Sequence, residues 1–259
     1  MSDMIRRFLF LLILTVSCNE NYYKDYAVVS ATKEATEAGI QVLEQGGNAF
    51  DAMIAVDLAL SVTYPNAGNL GGGGFMVYID SSGQSGSLDF REKAPKKSHP
   101  SMYLDQNGEV ITGLSYEGAL SVGIPGTVAG LFEVYNKFGS ISLDKIFEPA
   151  ISLAKNGYSL TKKQSKLYND SKGKILELNN TNLFSKDFKE GDVFTNDSLH
   201  NTLNKILKHG SDIFYKGEIS NKIVNYVQSK GGIISNDDMA SYLPVWRDAF
   251  IFNFNGYEI

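Results

Sequence analysis

A single arginine in a run of charged residues ends an apolar segment of the chain. Arg91 is flanked by Asp89, Glu92 and Lys93, and Pro95 follows shortly after. A guanidinium group matches a carboxylate through two parallel N–H donors, and a strand end can hold such a group rigidly. The pattern therefore predicts an anion-binding site at Arg91. An ion pair with Asp89 or Glu92 is the alternative, and because strand neighbours alternate between faces, at most one such pair is expected.

Four consecutive glycines, residues 71–74, precede this segment. Glycine permits positive φ or a close approach of two backbones, which a Cβ would obstruct. Phosphate binding is disfavoured because the run lacks a Gly-Lys-Ser/Thr ending and a G-x-G-x-x-G pattern that opens a helix. A purely structural role in a buried backbone crossing remains open. The apolar runs 75–79 and 88–90, joined by a Ser/Gly connector at 81–87, predict a β-hairpin.

Other catalytic groups are poorly supported by the sequence. His99, His200 and His209 are scattered and have no cysteine partner, so no metal site and no cofactor are expected. A G-x-S-x-G nucleophile motif is also missing from the sequence. Each histidine is better explained as a surface or capping residue.

The charge balance argues against nucleic acid as a partner. The net charge is -5, whereas phosphate binding requires concentrated Lys and Arg. One basic cluster is interrupted by an aspartate and has few aromatic neighbours, which favours a solvated helix face. This cluster comprises Lys162, Lys163, Lys166, Lys172 and Lys174.

The N-terminus has the pattern of an export signal. Arg6 and Arg7 precede an apolar run at 8–14 that is too short to span a bilayer. We therefore expect a signal peptide over residues 1–18, a polar linker over 19–26, and an exported protein. The only cysteine, Cys18, stands where a bacterial lipoprotein signal places its acylated cysteine. A periplasmic protein released by simple cleavage and a membrane-anchored lipoprotein remain alternatives.

The remaining chain predicts a mixed α and β protein. Apolar periodicity and capping signals predict helices at 32–45, 49–62, 127–138, 144–156, 160–178, 199–209 and 219–227, and a helical turn after Ser235. Asn48 with Asp51 has the pattern of a capping box. Strands are expected at 27–30, 231–234 and 246–254. Residues 255–259 read as part of a further hairpin, and a truncated chain is the simplest explanation of an ending there.

Several sequence blocks resemble the gamma-glutamyltransferase family, also called gamma-glutamyltranspeptidases or glutathione hydrolases. The resemblance extends from about Tyr26 to the last residue and keeps the family's block order. The blocks are Leu-Glu-Gln-Gly-Gly-Asn-Ala-Phe-Asp-Ala at 43–52, Asn-Leu-Gly-Gly-Gly-Gly-Phe-Met at 69–76, Asp-Phe-Arg-Glu-Lys-Ala-Pro at 89–95, Val-Gly-Ile-Pro-Gly-Thr at 122–127 and Phe-Tyr-Lys-Gly-Glu-Ile at 214–219.

The resemblance implies an α+β fold of the N-terminal nucleophile hydrolase type, an αββα sandwich, present here incompletely. Residues 27–259 are then part of the large subunit. In that family a proenzyme cleaves itself, and the N-terminal threonine of the small subunit attacks the gamma-glutamyl amide, with its own amine as base. The acyl-enzyme is resolved by water or an acceptor amine. Arg91 is expected to bind the substrate α-carboxylate, and Glu92 to support the site.

The chain departs from the family pattern at the catalytic centre. No threonine here matches the nucleophile, which is expected in a small subunit absent from the sequence; Thr127 and Thr195 are not candidates. The leading hypothesis is a fragment of an enzyme that cleaves glutathione or other gamma-glutamyl compounds and is inactive alone. A non-catalytic gamma-glutamyl-binding or scaffolding protein and a cephalosporin acylase-like amidase of the same fold are the alternatives.

Overall fold

The computed structural model describes residues 26–179 and 181–259. The predicted signal peptide, Cys18 and the linker up to residue 25 lie outside these residues. The helices are α1 Lys33–Glu44, α2 Ala49–Thr63, α3 Thr127–Phe138, α4 Leu143–Asn156, α5 Lys162–Leu178, α6 Asp197–His209, α7 Asp212–Tyr215, α8 Glu218–Ser229 and α9 Asn236–Ala240, with a 3-10 turn at Ala119–Ser121. The strands are β1 Phe75–Ile79, β2 Ser85–Asp89, β3 Tyr158–Ser159, β4 Val193–Phe194, β5 Val245–Arg247, β6 Asn253–Phe254 and β7 Tyr257–Glu258.

One three-stranded antiparallel sheet supports the region around Arg91. Its order is β1-β2-β5, with Phe75 opposite Asp89 in the hairpin and Asp89 opposite Val245 across the other edge of β2. Two short ribbons, β3-β4 and β6-β7, pair separately. The predicted hairpin is therefore confirmed, although its connector is shorter than expected because β2 already begins at Ser85.

Helix α2 lies at the centre of the helical layer. It is apolar nearly all round, and its buried residues include Ile54, Leu58 and Val62. Such a helix packs on several sides, and α2 contacts α1, α3 and α4. Its N-terminus carries the predicted capping box, in which the Asn48 side chain accepts from the Asp51 amide and Asp51 accepts from the Asn48 amide.

The predicted strand at 27–30 is wrong. Residues 26–30 form no ladder with any described strand, and Val29 is 93% exposed. The Ser30 hydroxyl donates to the Thr32 carbonyl, so this segment leads into the N-cap of α1.

The predicted strand at 231–234 is also wrong, because its glycines end a helix. Gly231 has φ +85°, and its amide donates to the Gln228 carbonyl. The Gly232 amide donates to the Val227 carbonyl. Both bonds satisfy carbonyls at the C-terminus of α8, as a glycine-based C-cap does.

The predicted strand at 246–254 is divided in two. Strand β5 ends at Arg247, where the Ser87 hydroxyl donates to the Arg247 carbonyl at 3.2 Å. The chain then leaves the sheet and forms the β6-β7 ribbon, which contains the predicted hairpin near residue 255.

The predicted helices at 127–138, 144–156, 160–178, 199–209 and 219–227 are confirmed, and no helix end differs from its prediction by more than two residues. The basic cluster lies on α5, where Lys166, Lys172 and Lys174 pair with Asp170, Asp187 and Glu117 respectively. Within residues 26–179 and 181–259, no helix has both the length and the apolar character needed to cross a bilayer.

Candidate functional site

The glycine run forms a close backbone crossing next to Arg91. The Gly74 and Phe90 backbones exchange hydrogen bonds of 3.2 and 2.9 Å. A Cβ on Gly73 would lie 2.8 Å from the Glu92 amide nitrogen, and one on Gly74 would lie 2.9 Å from the Phe90 ring. None of the four glycines has positive φ. Close approach, not backbone conformation, therefore requires glycine here.

The N-terminus of α3 contacts the same crossing. The Gly72 carbonyl accepts from the amides of Gly126 and Thr127 at 2.7 and 3.0 Å. A Cβ on Gly126 would collide with the Phe90 carbonyl. These donors are the first amides at the N-terminus of α3, which have no acceptor within the helix, and the Gly72 carbonyl accepts their hydrogen bonds. The phosphate-binding interpretation gains no support from this arrangement.

Arg91 emerges from β2 directly after the crossing. Its side chain is 63% exposed, and Nη1 lies 3.3 Å from Oε2 of Glu92. Glu92 is 30% exposed, and its Oε2 is shielded from solvent and accepts no hydrogen bond from the described residues. Of the two predicted alternatives for an internal ion pair, the structure contains the one with Glu92. Most of the Arg91 side chain is therefore accessible to a ligand.

Asp89 forms an ion pair with a different arginine, Arg247. Arg247 on β5 donates from Nη2 and Nε to Asp89 Oδ2 at 2.8 and 3.3 Å. The Asp89 Oδ1 atom accepts from the Arg91 amide at 3.1 Å. The Arg247 hydrogen bonds, followed by the Arg91 amide, hold the pKa of Asp89 below its usual value. Asp89 thus fixes the Arg91 backbone and leaves its guanidinium available.

The backbone after Arg91 is held by two further segments. Lys93 and Ile124 exchange backbone hydrogen bonds of 3.2 and 2.8 Å. The Arg91 carbonyl accepts from the Tyr242 hydroxyl at 2.9 Å. Neither Tyr242 nor Arg247 was identified from the sequence. The sequence signals near them were the strand predicted at 246–254, which contains Arg247, and the helical turn predicted after Ser235. Neither signal predicts a contact with residue 91.

Thr127 and the three histidines have other contacts. Thr127 is buried, and its hydroxyl donates to the Asn69 carbonyl at 3.1 Å. His200 and His209 lie on α6, whereas His99 contacts Ser101 in a loop. In the part of the chain that the structure describes, no group of three or more His, Cys, Asp or Glu side chains could hold a metal ion.

A groove lies beside the exposed edge of β1. It has a volume of about 420 Å³ and is lined by Val56, Asp57 and Leu60 of α2 and by β1. Burial raises the pKa of Asp57 to about 6. The alternate residues Phe75, Val77 and Ile79 of β1 are 67, 74 and 75% exposed. These side chains form an apolar surface that includes one wall of the groove. Among the described strands, β1 pairs only with β2, so its other edge is unpaired.

The fold is that of the N-terminal nucleophile hydrolases, as comparison with solved structures shows. Helicobacter pylori gamma-glutamyltranspeptidase superposes with a TM-score of 0.87 at 39% identity, over 91% of this chain and 69% of that chain. A cephalosporin acylase from Bacillus halodurans has a TM-score of 0.75 at 24% identity, over 86% of this chain and 43% of that one, and at this identity the likeness concerns the fold alone. The predicted fold class is confirmed.

The family model for gamma-glutamyltranspeptidase matches residues 35–259. The chain therefore belongs to the gamma-glutamyltranspeptidase family. The glutathione hydrolase proenzyme of Pseudomonas aeruginosa is 38% identical over 231 residues, which are 89% of this chain and 41% of that protein. The chain thus spans about two fifths of the length of this curated relative.

Proposed function

We propose that this chain supplies the α-carboxylate ligand of an enzyme that hydrolyses gamma-glutamyl amides or transfers the gamma-glutamyl group. The observation that supports this most directly is the geometry of Arg91. Its backbone is fixed by Asp89 and Tyr242, while its side chain is largely exposed just after the end of β2. A bidentate guanidinium on a rigid support suits a substrate carboxylate.

Glu92 is proposed to orient the guanidinium. Its Oε2 contacts Nη1 of Arg91 at 3.3 Å, and Oε1 faces the glycine run, 3.6 Å from the position of a Cβ on Gly72. The bare backbone there leaves room for the carboxylate beside Arg91. A carboxylate on one edge of the guanidinium leaves its other edge for the substrate.

The reaction is proposed to break the amide bond of the gamma-glutamyl group. A nucleophilic threonine, supplied by a small subunit, attacks the gamma-carbonyl carbon and forms an acyl-enzyme as the amine leaves with a proton. Water or an acceptor amine then adds to the acyl carbon and releases the threonine. The binding of the α-carboxylate by Arg91 positions the gamma-carbonyl for this attack.

The exposed side of β1 is proposed to contact that small subunit. An exposed sheet edge with apolar residues is a surface prone to pair with another strand. The residues concerned are Phe75, Val77 and Ile79. Residues 26–259 expressed alone are expected to aggregate, whereas co-expression with the small subunit should yield a soluble complex. A monodisperse isolated chain would contradict this contact.

Export is also proposed, from the arginine pair and apolar run that precede Cys18. Acylation of Cys18 would place the enzyme at a membrane surface, and its absence would leave the enzyme in the periplasm.

The experiment that tests the proposed activity uses the complete gene product that contains this chain. Incubation with glutathione should release glutamate, and an acceptor dipeptide should divert the glutamyl group into a new amide. Release of neither product by the purified, folded protein would contradict the proposal. Equal turnover of a non-glutamyl acyl amide would favour an acylase instead.

A further inference from the structure

Tyr242 contacts the Arg91 carbonyl through its side chain. Its hydroxyl donates to the Arg91 carbonyl oxygen at 2.9 Å, and the residue is 5% exposed. Among the described residues, this is the hydrogen bond that the Arg91 carbonyl accepts. The carbonyl belongs to the peptide plane between Arg91 and Glu92, so the contact helps to fix the direction in which both side chains leave the backbone.

The Tyr242 ring is itself held rigidly. It stacks on the Tyr215 ring with centroids 5.7 Å apart and planes 12° apart. The Tyr215 hydroxyl donates to the Pro125 carbonyl at 3.0 Å and accepts from the Ala129 amide at 3.1 Å. A Cβ on Gly126 would collide with the Tyr242 hydroxyl, so a glycine leaves the space that this hydroxyl occupies.

Two more contacts join the same pair of segments. Lys93 Nζ donates to the Leu243 carbonyl at 2.7 Å, and the Lys96 amide donates to Asp238 Oδ1 at 2.9 Å. The segment from Asp238 to Leu243 therefore follows the chain from Arg91 to Lys96. We expect these two hydrogen bonds to keep the segments aligned when the phenol hydroxyl is removed, so its loss should affect mainly the Arg91 peptide.

We propose that Tyr242 is a positioning residue that orients Arg91 for the substrate α-carboxylate. This inference rests on the proposed function of Arg91. Burial, together with the charges of Asp89 and Glu92, raises the pKa of Tyr242 to about 12. The phenol consequently keeps its proton and donates throughout the pH range in which the enzyme would be assayed.

A double-mutant cycle in the complete gene product tests this role. Tyr242→Phe, Arg91→Lys and the double variant are compared by kcat/KM for a gamma-glutamyl anilide. Tyr242→Phe alone should lower kcat/KM roughly fivefold, mainly through KM, as the loss of one hydrogen bond would. In the Arg91→Lys background the same substitution should change kcat/KM less than twofold, because the group that it orients has been replaced.

Tyr158→Phe is the matched control. It also removes a buried phenol hydroxyl, one that contacts Tyr168 and the Val62 carbonyl away from Arg91. It should leave KM unchanged. Equal effects of Tyr242→Phe in both backgrounds, or no effect in either, would overturn the inference. Failure of Arg91→Lys itself to alter KM would instead contradict the proposed function.

Discussion

The backbone of Gly73 passes so close to Glu92 that a Cβ on residue 73 would lie 2.8 Å from the Glu92 amide nitrogen. Arg91, the proposed ligand of the substrate carboxylate, and its supporting acid Glu92 therefore depend on a glycine that lies much earlier in the chain. The glycine run and Arg91 therefore belong to one structural unit. The glycines allow the two backbones to approach closely, and Arg91 provides the positive charge for a ligand.

Gly73→Ala should destabilise the protein. The added methyl group has backbone atoms of residues 90–92 as neighbours, and these cannot move away as a flexible side chain could. We expect a loss of about 2 kcal/mol in the free energy of unfolding, typical of overpacking. Urea denaturation measures it directly.

Gly173→Ala is the control, because it adds the same methyl group at a glycine where space is available. Gly173 lies within α5 and has no atom within 4 Å of the position of a Cβ. Replacement of a helical glycine by alanine should stabilise the protein by about 0.5–1 kcal/mol. Equal effects of the two substitutions would contradict the close crossing at Gly73.

The contribution of Asp57 to the stability of the protein should decrease as the pH rises from about 4 to about 6. Burial raises the pKa of Asp57 from 3.8 to about 6, so the folded state retains a proton that the unfolded state has released. The stabilisation by that proton is fully present below the pKa of Asp57 in the unfolded state. It is lost as the pH rises through the pKa of Asp57 in the folded state. Asp57→Asn should remove this dependence.

Thermal melting at pH 4.5 and pH 7 compares the two proteins. The Asp57→Asn variant should be more stable than the wild type at pH 7, by about 1–3 kcal/mol, and nearly equal to it at the lower pH. A constant difference between the proteins at both pH values would show that Asp57 is not the responsible group.

Acylation of Cys18 can be tested by metabolic labelling with a radioactive fatty acid. The proposed lipoprotein should be labelled and recovered with membranes, and Cys18→Ser should lose both properties. An unlabelled protein that is processed near residue 18 would contradict the lipid anchor and support simple cleavage. An unprocessed N-terminus would contradict export itself.

Local patterns predicted much of the fold, because helices depend on short-range periodicity and caps. The capping box of Asn48 and Asp51 is an example in which the residue types determine the contact. The strands were harder to predict. The glycines at 231–232 belong to a segment for which a strand is predicted, yet their amides satisfy the carbonyls of α8. The choice between these outcomes depends on whether another strand is available.

The candidate site could be predicted only at its centre. Arg91 and Glu92 were visible in one short motif, and the resemblance to the family supplied their expected roles. Arg247 and Tyr242 were not predicted, because each meets the motif across more than 150 positions of sequence. Long-range contacts of this kind follow from the assembled sheet and from α9, and no local pattern encodes them.

Substitution of Arg91 by lysine tests whether this guanidinium binds the substrate α-carboxylate. In the complete gene product, Arg91→Lys replaces a planar, bidentate donor by a single ammonium group. Arg247→Lys is the matched control, because it makes the same chemical change at an arginine that pairs with Asp89. We expect Arg91→Lys to raise KM for a gamma-glutamyl donor roughly tenfold or more with a much smaller change in kcat, whereas Arg247→Lys should change KM less than threefold. An unchanged KM for Arg91→Lys would contradict the binding of the α-carboxylate by Arg91.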